Sequence, residues 1–403
     1  MAYKILITCW DFLSPNNIGG NRWRKYASEL KKAGHEIHII CKKNNLPQNS
    51  KNLNNVFDNY FLYTITPSIF TEWSVSYSNK IKLWTALVML KIIQKGSCFD
   101  KAIAVKRHYS ELLKDVVLKK NIQIVIVSGA PFNLLFYTAL LKSNLTHVKF
   151  IADYRDPWIN AENYGMKNLT YSRFKYETFK NNTVLENFDY ITAPNLFLLQ
   201  EIKKTYNGNL KLKSNFIELS HSYNITPDFT NERPSVPHLI KIVYGGTIYI
   251  NFDLYLKNLA LVLSKFIDVN VKLQVDFYTD QIEKKIYFSD LSFITFHNSN
   301  FDNFTNILKG TDFIFIFCAD HNKNYLTSKF FDYLPYKKPF IYVGPKGFVS
   351  EFIHSNNLGV NIESISSVYD LQMAKKLTTK FNYNNFKSSF VVNNFINRLT
   401  IES

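Results

Sequence analysis

The chain has 403 residues, 46% hydrophobic and 16% aromatic, with only 13 Gly and 12 Pro. That excludes a disordered chain, and the length exceeds what one core usually serves, so two domains are expected. The formal charge of +16 is uneven: residues 1–205 hold 28 Lys and Arg against 15 Asp and Glu (+13), whereas 206–403 hold 20 against 17 (+3).

Strand-like and helical patterns alternate from the start. Tyr3–Cys9 is a short apolar run; Trp23, Tyr26, Ala27 and Leu30 then fall at helical spacing within 22–33, Gly34 stops that helix, and Glu36–Cys41 supplies the next strand. The alternation continues through Ile122–Ser128, a helix over 133–142, Phe150–Asp153, Tyr190–Ala193 and a helix over 196–205. Repeated strand–helix units with apolar strands imply a parallel sheet covered by helices. A polar stretch with three prolines, 224–237, reads as a linker. Beyond it the pattern restarts: Ile240–Tyr244, a helix over 254–266, Lys272–Tyr278, Phe293–Phe296, Phe313–Cys318, a helix over 328–334 and Pro339–Val343. The expected architecture is two doubly wound α/β domains, 1–223 and 238–385, with a terminal helical segment over 386–403.

The start of the chain reads as a first strand rather than a signal peptide, and no apolar run reaches the roughly 18–20 residues of a membrane span. Cys9, Cys41, Cys98 and Cys318 are widely spaced and form no metal-ligand pattern, so neither zinc nor a disulfide framework is expected. A reduced, cytoplasmic protein is the expectation. Its basic excess is concentrated between Lys80 and Lys120, around the apolar segment that holds Trp84, Leu87, Val88, Leu90 and Ile92. A basic helix with Trp suits a membrane interface, and it equally suits a solvated helix packed on its own domain. Nucleic acid is the weaker partner, because no recognised binding motif or run of stacking aromatics accompanies the charge.

Three segments carry candidate chemistry. The first strand–helix turn contains Gly19-Gly20 and then Arg22, where close backbone approach and a helix N-terminus favour anions; it is also a plain tight turn. It lacks the spacing of a dinucleotide fingerprint, and the second strand ends on Lys42-Lys43 rather than on an acid. Asp153-Tyr-Arg155-Asp156-Pro-Trp158 follows a strand directly, at the end where open α/β sheets gather ligands, with Ser128-Gly129 at a neighbouring strand end. These residues form either an internal Asp–Arg salt bridge or a polar acceptor pocket, with Trp158 as a flat face for a sugar. In the second half, Thr327 or Ser328 caps a helix whose free N–H groups face a phosphate, Lys329 adds a charge, and Asp332 is placed to accept from a ribose diol. Gly245-Gly246-Thr247 closes that half's first strand, where a glycine turn lets a diphosphate approach.

Together these segments resemble the GT-B glycosyltransferases, particularly the family 4-like group of bacterial cell-surface polysaccharide assembly. Gly34–Ile37, Val127–Pro131, the Asp-Tyr-Arg-Asp-Pro-Trp segment, Phe188–Ala193, Val243–Gly246 and Leu326–Leu334 with Lys338-Pro339 carry the likeness in order along nearly the whole chain. The resemblance implies two Rossmann-like domains facing a central cleft, an N-terminal one for the acceptor and a C-terminal one for a nucleotide diphosphate sugar, with a UDP-sugar favoured. It implies no cofactor and no bound metal. The terminal helix would cross back to the first domain. Acceptor binding falls to Gly19, Gly20, Arg22, Ser128, Arg155, Asp156 and Trp158, and donor binding to Gly245, Gly246, Thr247, Thr327, Ser328, Lys329 and Asp332. Asp153 and Lys329 are the catalytic candidates. The acceptor would be a glycan or a lipid-linked glycan, and the protein would sit peripherally on an anionic membrane surface. The chain departs from the family in having Asn324 where the first of two paired glutamates stands, and in lacking the Arg/Lys pair after Gly246. A nucleotide-sugar epimerase of the same fold and a non-catalytic basic binding protein remain the alternatives.

Overall fold

The computed structural model describes residues 2–14, 17–43, 60–74, 79–93, 100–159, 166, 169–208, 212, 214–225, 227, 239–248, 252–266, 272–298, 304–320, 323–377 and 381–401. Of the segment 224–237, only 224, 225 and 227 are among them; Lys95 and Cys98 lie outside. The chain divides into two compact units: Met1–His221 with Ser388–Ser403, and Ser222–Lys387.

The first unit is built on a seven-stranded sheet in the order β3-β2-β1-β4-β5-β6-β7, parallel throughout. Its strands are β1 (Lys4–Thr8), β2 (Glu36–Lys42), β3 (Phe61–Ile65), β4 (Ile124–Gly129), β5 (Lys149–Tyr154), β6 (Tyr190–Ala193) and β7 (Asn215–Glu218). Parallel strands need crossover connections, which place helices on both faces and bury the central strands. Accordingly every residue of β4 is buried. The helix Ser388–Ile401 packs into the same core through Val391, Val392, Phe395 and Leu399, beside Trp23 and Tyr26. Lys149 Nζ donates to the Leu399 carbonyl at 2.8 Å and fastens it there.

The second unit repeats the plan with six parallel strands in the order β10-β9-β8-β11-β12-β13. They are β8 (Leu239–Gly245), β9 (Lys272–Tyr278), β10 (Ile294–His297), β11 (Phe313–Phe317), β12 (Phe340–Val343) and β13 (Gly359–Asn361). Here the aromatic content does the packing: Phe277 stacks on Phe315 at 5.9 Å and on Phe296 at 4.7 Å. Removing one such ring would cost about 3–5 kcal/mol.

In each unit the strand order reverses between the first strand and the fourth, β1/β4 and β8/β11. That reversal opens a crevice at the carboxyl ends, the general ligand position of doubly wound sheets. Several elements went unanticipated: β3, β7, β13 and the helix Tyr171–Asn187. The first helix also begins earlier, at Ile18, because the Asn17 side chain accepts from Gly20 N–H and caps it. Gly19 and Gly20 therefore sit in the first helical turn rather than in a loop.

Candidate active site

At the carboxyl ends of the first sheet, Asp153 is fully buried and bonded on both oxygens. Oδ1 accepts from Arg22 Nη1 at 2.9 Å and Thr192 Oγ1 at 3.0 Å; Oδ2 accepts from Arg22 Nη1 at 2.7 Å, Trp23 Nε1 at 2.8 Å and Ser128 Oγ at 3.1 Å. Arg22 Nη2 goes on to the Leu219 carbonyl at 2.6 Å. Burial alone would lower the Arg22 pKa, but Asp153 outweighs it and the guanidinium is held more firmly protonated than usual. One carboxylate thus ties the first helix, β4, β5 and β6 together. With no solvent access and every lone pair engaged, Asp153 is a structural keystone rather than an acceptor-side base; Arg22 and Ser128 serve it rather than a ligand. The Asp–Arg salt bridge exists, but its arginine comes from 131 positions away.

Trp158 is likewise corrected. Its indole is 2% exposed, stacks on Phe132 at 5.0 Å and donates from Nε1 to Glu177 Oε2 at 3.0 Å, while Lys180 Nζ lies 5.7 Å from the ring. No face remains for a sugar. Behind it lies a buried ion pair absent from the sequence reading, Lys180 with Glu177 at 2.6 Å, and Lys180 also donates to Asn133 Oδ1 at 2.9 Å. The only sequence signal for this pair is a three-residue helical spacing.

Arg155 and Asp156 stay partly open, paired with each other at 3.0 Å. The Arg155 guanidinium lies over Gly19, where any Cβ would overlap it. The His221 imidazole shares this corner: burial first, then Arg22, Arg155 and Lys25, push its pKa well down. What remains partly open at this sheet end is therefore the Arg155–Asp156 pair, lying over the buried Gly19.

The second sheet ends differently. Gly245 ends β8 and Gly246 follows it; the Tyr333 hydroxyl donates to the Gly245 carbonyl, and Gly246 N–H donates to the Tyr278 carbonyl at 2.8 Å. Gly246 has φ +136°, a conformation that favours glycine, and the space its Cβ would need holds the Lys329 ammonium. Lys329 belongs to the short helix Ser328–Tyr333, and its Nζ donates to the Tyr244 hydroxyl at 3.1 Å, 5.0 Å from that ring's centre. The Tyr244 hydroxyl in turn donates to the Thr247 carbonyl at 2.8 Å. Among the described residues no carboxylate forms an ion pair with Lys329. Burial lowers its pKa to about 8, with Asp332 pulling the other way.

Thr327 occupies the N-cap position, but its side chain makes no capping bond; Thr327 and Ser328 are half-buried and Asp332 is exposed. The sequence pointed to Gly246 and Lys329 and missed Tyr244 and Tyr333, which fix them. Tyr333 was discoverable, being one helical turn after Lys329. Among the described residues, no group of three or more His, Cys, Asp or Glu is placed to hold a metal ion. None of the described helices is long and apolar enough to cross a membrane.

No family model matches the chain, and no curated protein does. Solved structures do. A glycosyltransferase from Rickettsia africae is 16% identical with a TM-score of 0.59, the match covering 98% of this chain and 97% of that one. The sucrose-phosphate synthase of Thermosynechococcus elongatus is 11% identical with a TM-score of 0.57, over 100% of both chains. A putative UDP-N-acetylglucosamine 2-epimerase from Listeria monocytogenes is 9% identical with a TM-score of 0.54, over 100% of this chain and 97% of that one. The shared feature is the fold: this chain has the GT-B plan of two Rossmann-like α/β domains.

Proposed function

We propose that the chain is a glycosyltransferase moving a sugar from a nucleotide diphosphate sugar, a UDP-sugar in preference, to a glycan or lipid-linked acceptor during cell-surface polysaccharide assembly. The observation that carries this reading is Lys329. Lys329 is half-buried, and an ammonium partly withdrawn from water and offered only a neutral oxygen is better satisfied when an anion completes it. It stands at the strand-order reversal of the second sheet, over the Gly245-Gly246 turn, where a diphosphate can approach the main chain.

In this reading the acceptor hydroxyl attacks the anomeric carbon, the sugar–phosphate C–O bond breaks, the nucleoside diphosphate leaves with the electron pair, and the hydroxyl proton passes to the departing phosphate oxygen. Lys329 and main-chain N–H groups near Gly246, Thr327 and Ser328 stabilise the charge that grows on the leaving group, without a bound metal or cofactor. Asp332 remains the candidate for the ribose diol. On the first unit, Gly19, Gly20 and Arg155 with Asp156 remain the acceptor candidates. The buried Asp153 is given no part in the chemistry.

The 2-epimerase reading keeps the same donor site, and the Listeria neighbour is its support. Incubation with UDP-sugars separates the two: a transferase releases UDP only when acceptor is added, whereas an epimerase isomerises or hydrolyses the donor alone. Binding is tested first by thermal denaturation with UDP, GDP and CMP. We expect stabilisation by a nucleoside diphosphate that Lys329→Ala abolishes. A wild-type protein indifferent to all three would end this reading, and continued activity in EDTA would support its metal-free chemistry.

A further inference from the structure

The crossover that leaves β11 carries one charge of each sign. Lys329 stands at its far end, in the helix Ser328–Tyr333, and Asp320 at its near end, just beyond the strand's last residue, Phe317. β11 pairs with β8 at the strand-order reversal, and their ends are packed together. The Tyr244 ring, whose hydroxyl accepts from Lys329, meets Phe317 edge-on at 4.7 Å. Phe252, which leads into the helix Asp253–Ser264, lies 5.7 Å from the same ring. In the first turn of that helix, the Tyr255 hydroxyl donates to Asp320 Oδ2 at 2.9 Å. The bond joins the helix after β8 to the strand end of β11, so it crosses the crevice that the reversal opens.

Asp320 is exposed, and among the described residues its Oδ1 has no hydrogen-bond donor and the carboxylate no cation. One oxygen is thus fixed by a half-buried phenol while the other has no protein donor. Burial, and then Asp320 itself, push the Tyr255 pKa up to about 12, so the phenol stays a donor at neutral pH. Lys329 and Asp320 do not pair with each other. A ligand that answers both carries an anion for the first and hydroxyl donors for the second, close together. A nucleotide diphosphate sugar has that polarity, because its diphosphate is bonded directly to a ring with free hydroxyls. A carboxylate accepts two hydrogen bonds at once, which suits neighbouring hydroxyls, and it repels a second carboxylate.

We propose that Asp320, oriented by Tyr255, receives hydroxyls of the donor's sugar and so selects neutral sugars over uronic acids; this rests on the nucleotide-sugar reading above. The test is calorimetric titration of the full chain with UDP, UDP-glucose, UDP-galactose, UDP-N-acetylglucosamine and UDP-glucuronic acid. Wild type, Asp320→Asn and Tyr255→Phe are compared. Should GDP be the nucleotide that binds, GDP, GDP-mannose and GDP-mannuronic acid take their place. We expect wild type to bind at least one neutral donor about tenfold more tightly than the uronic one. In Asp320→Asn that ratio falls to about one or two, because the neutral sugar loses its acceptor and the uronate its repulsion, while UDP alone changes less than about twofold. Tyr255→Phe, which keeps the carboxylate and frees it, narrows the ratio by about threefold. Unchanged circular dichroism in both variants would show the fold intact. A wild-type chain that binds the uronic donor as tightly as every neutral one overturns the proposal, and so does an unchanged ratio in Asp320→Asn; with UDP still bound, the nucleotide-sugar reading survives either result. A chain that binds no nucleotide overturns both.

Discussion

Both units present a cation at the carboxyl end of a parallel sheet, Arg22 buried and Lys329 half-buried, and the two are handled in opposite ways. Arg22 is met by a carboxylate that is itself completed by an indole and two hydroxyls. Lys329 is met by one phenol oxygen and the face of its ring. The first arrangement engages its carboxylate wholly within the protein, with only the buried Arg22 Nε left without a hydrogen-bond partner, and holds the fold. The second leaves an ammonium under-compensated where a glycine turn admits an anion. Residue type and strand-end position are therefore not enough to mark a functional charge; its degree of compensation is the better guide.

That contrast can be broken by experiment. Arg22→Ala leaves the Asp153 carboxylate buried and unpaired, which should cost about 3–5 kcal/mol and depress the melting temperature of the first unit by roughly 10 °C or more. Lys329→Ala should do the reverse: nucleotide-dependent activity falls by about 10²–10³-fold while the melting temperature changes by no more than about 2 °C. Equal loss of stability in both variants would erase the distinction. Gly246→Ala should be intermediate, since its φ of +136° and the overlap with Lys329 impose about 1–3 kcal/mol of strain and displace the ammonium, weakening nucleotide binding about tenfold.

The smallest effect is that of pH. Lys329 titrates near 8 in the folded protein because burial disfavours its charge. An anionic ligand needs the charged form, so above about pH 8 binding must take up a proton, and affinity falls by up to about tenfold per pH unit. Below pH 7 it should be flat. For folding the sign is also fixed: unfolding lets this lysine take its proton at the ordinary value of 10.5, so its contribution to stability worsens as pH falls from there to 8 and is constant below. Nucleotide titrations at pH 6.5 and 9, with Lys329→Arg, charged at both, as the flat control, check both the slope and its owner.

The doubly wound plan was legible because central strands hold runs such as Ile124–Val127 and Phe313–Cys318, which are buried on both faces and read as unbroken apolar stretches. The strands that escaped, Phe61–Ile65, Asn215–Glu218 and Gly359–Asn361, lie at sheet edges and are five, four and three residues long. Their extension is imposed by a neighbour's hydrogen bonds rather than by their own pattern. The site followed the same logic. Gly246 and Lys329 were visible as local motifs, whereas the role of Asp153 depends on partners up to 131 positions distant, and no spacing rule reports those. Trp158 looked available for the same reason: sequence shows an aromatic beside a strand end and cannot show that Phe132 already covers it.

The second unit is continuous in the chain while the first is interrupted by it. Where the chain enters and leaves the second unit, Tyr223 N–H donates to the Phe386 carbonyl at 3.0 Å, and Tyr223 bridges Lys387 in parallel fashion. The ends of that unit are therefore already held side by side, the condition under which an inserted domain can be excised. A gene fragment encoding 222–387 should yield a self-contained folded module. A short splice from His221 to Ser388 should close the remaining protein around its own last helix. During synthesis the order is constrained as well: the first core gains Val391, Val392, Phe395 and Leu399 only after the whole inserted unit has left the ribosome.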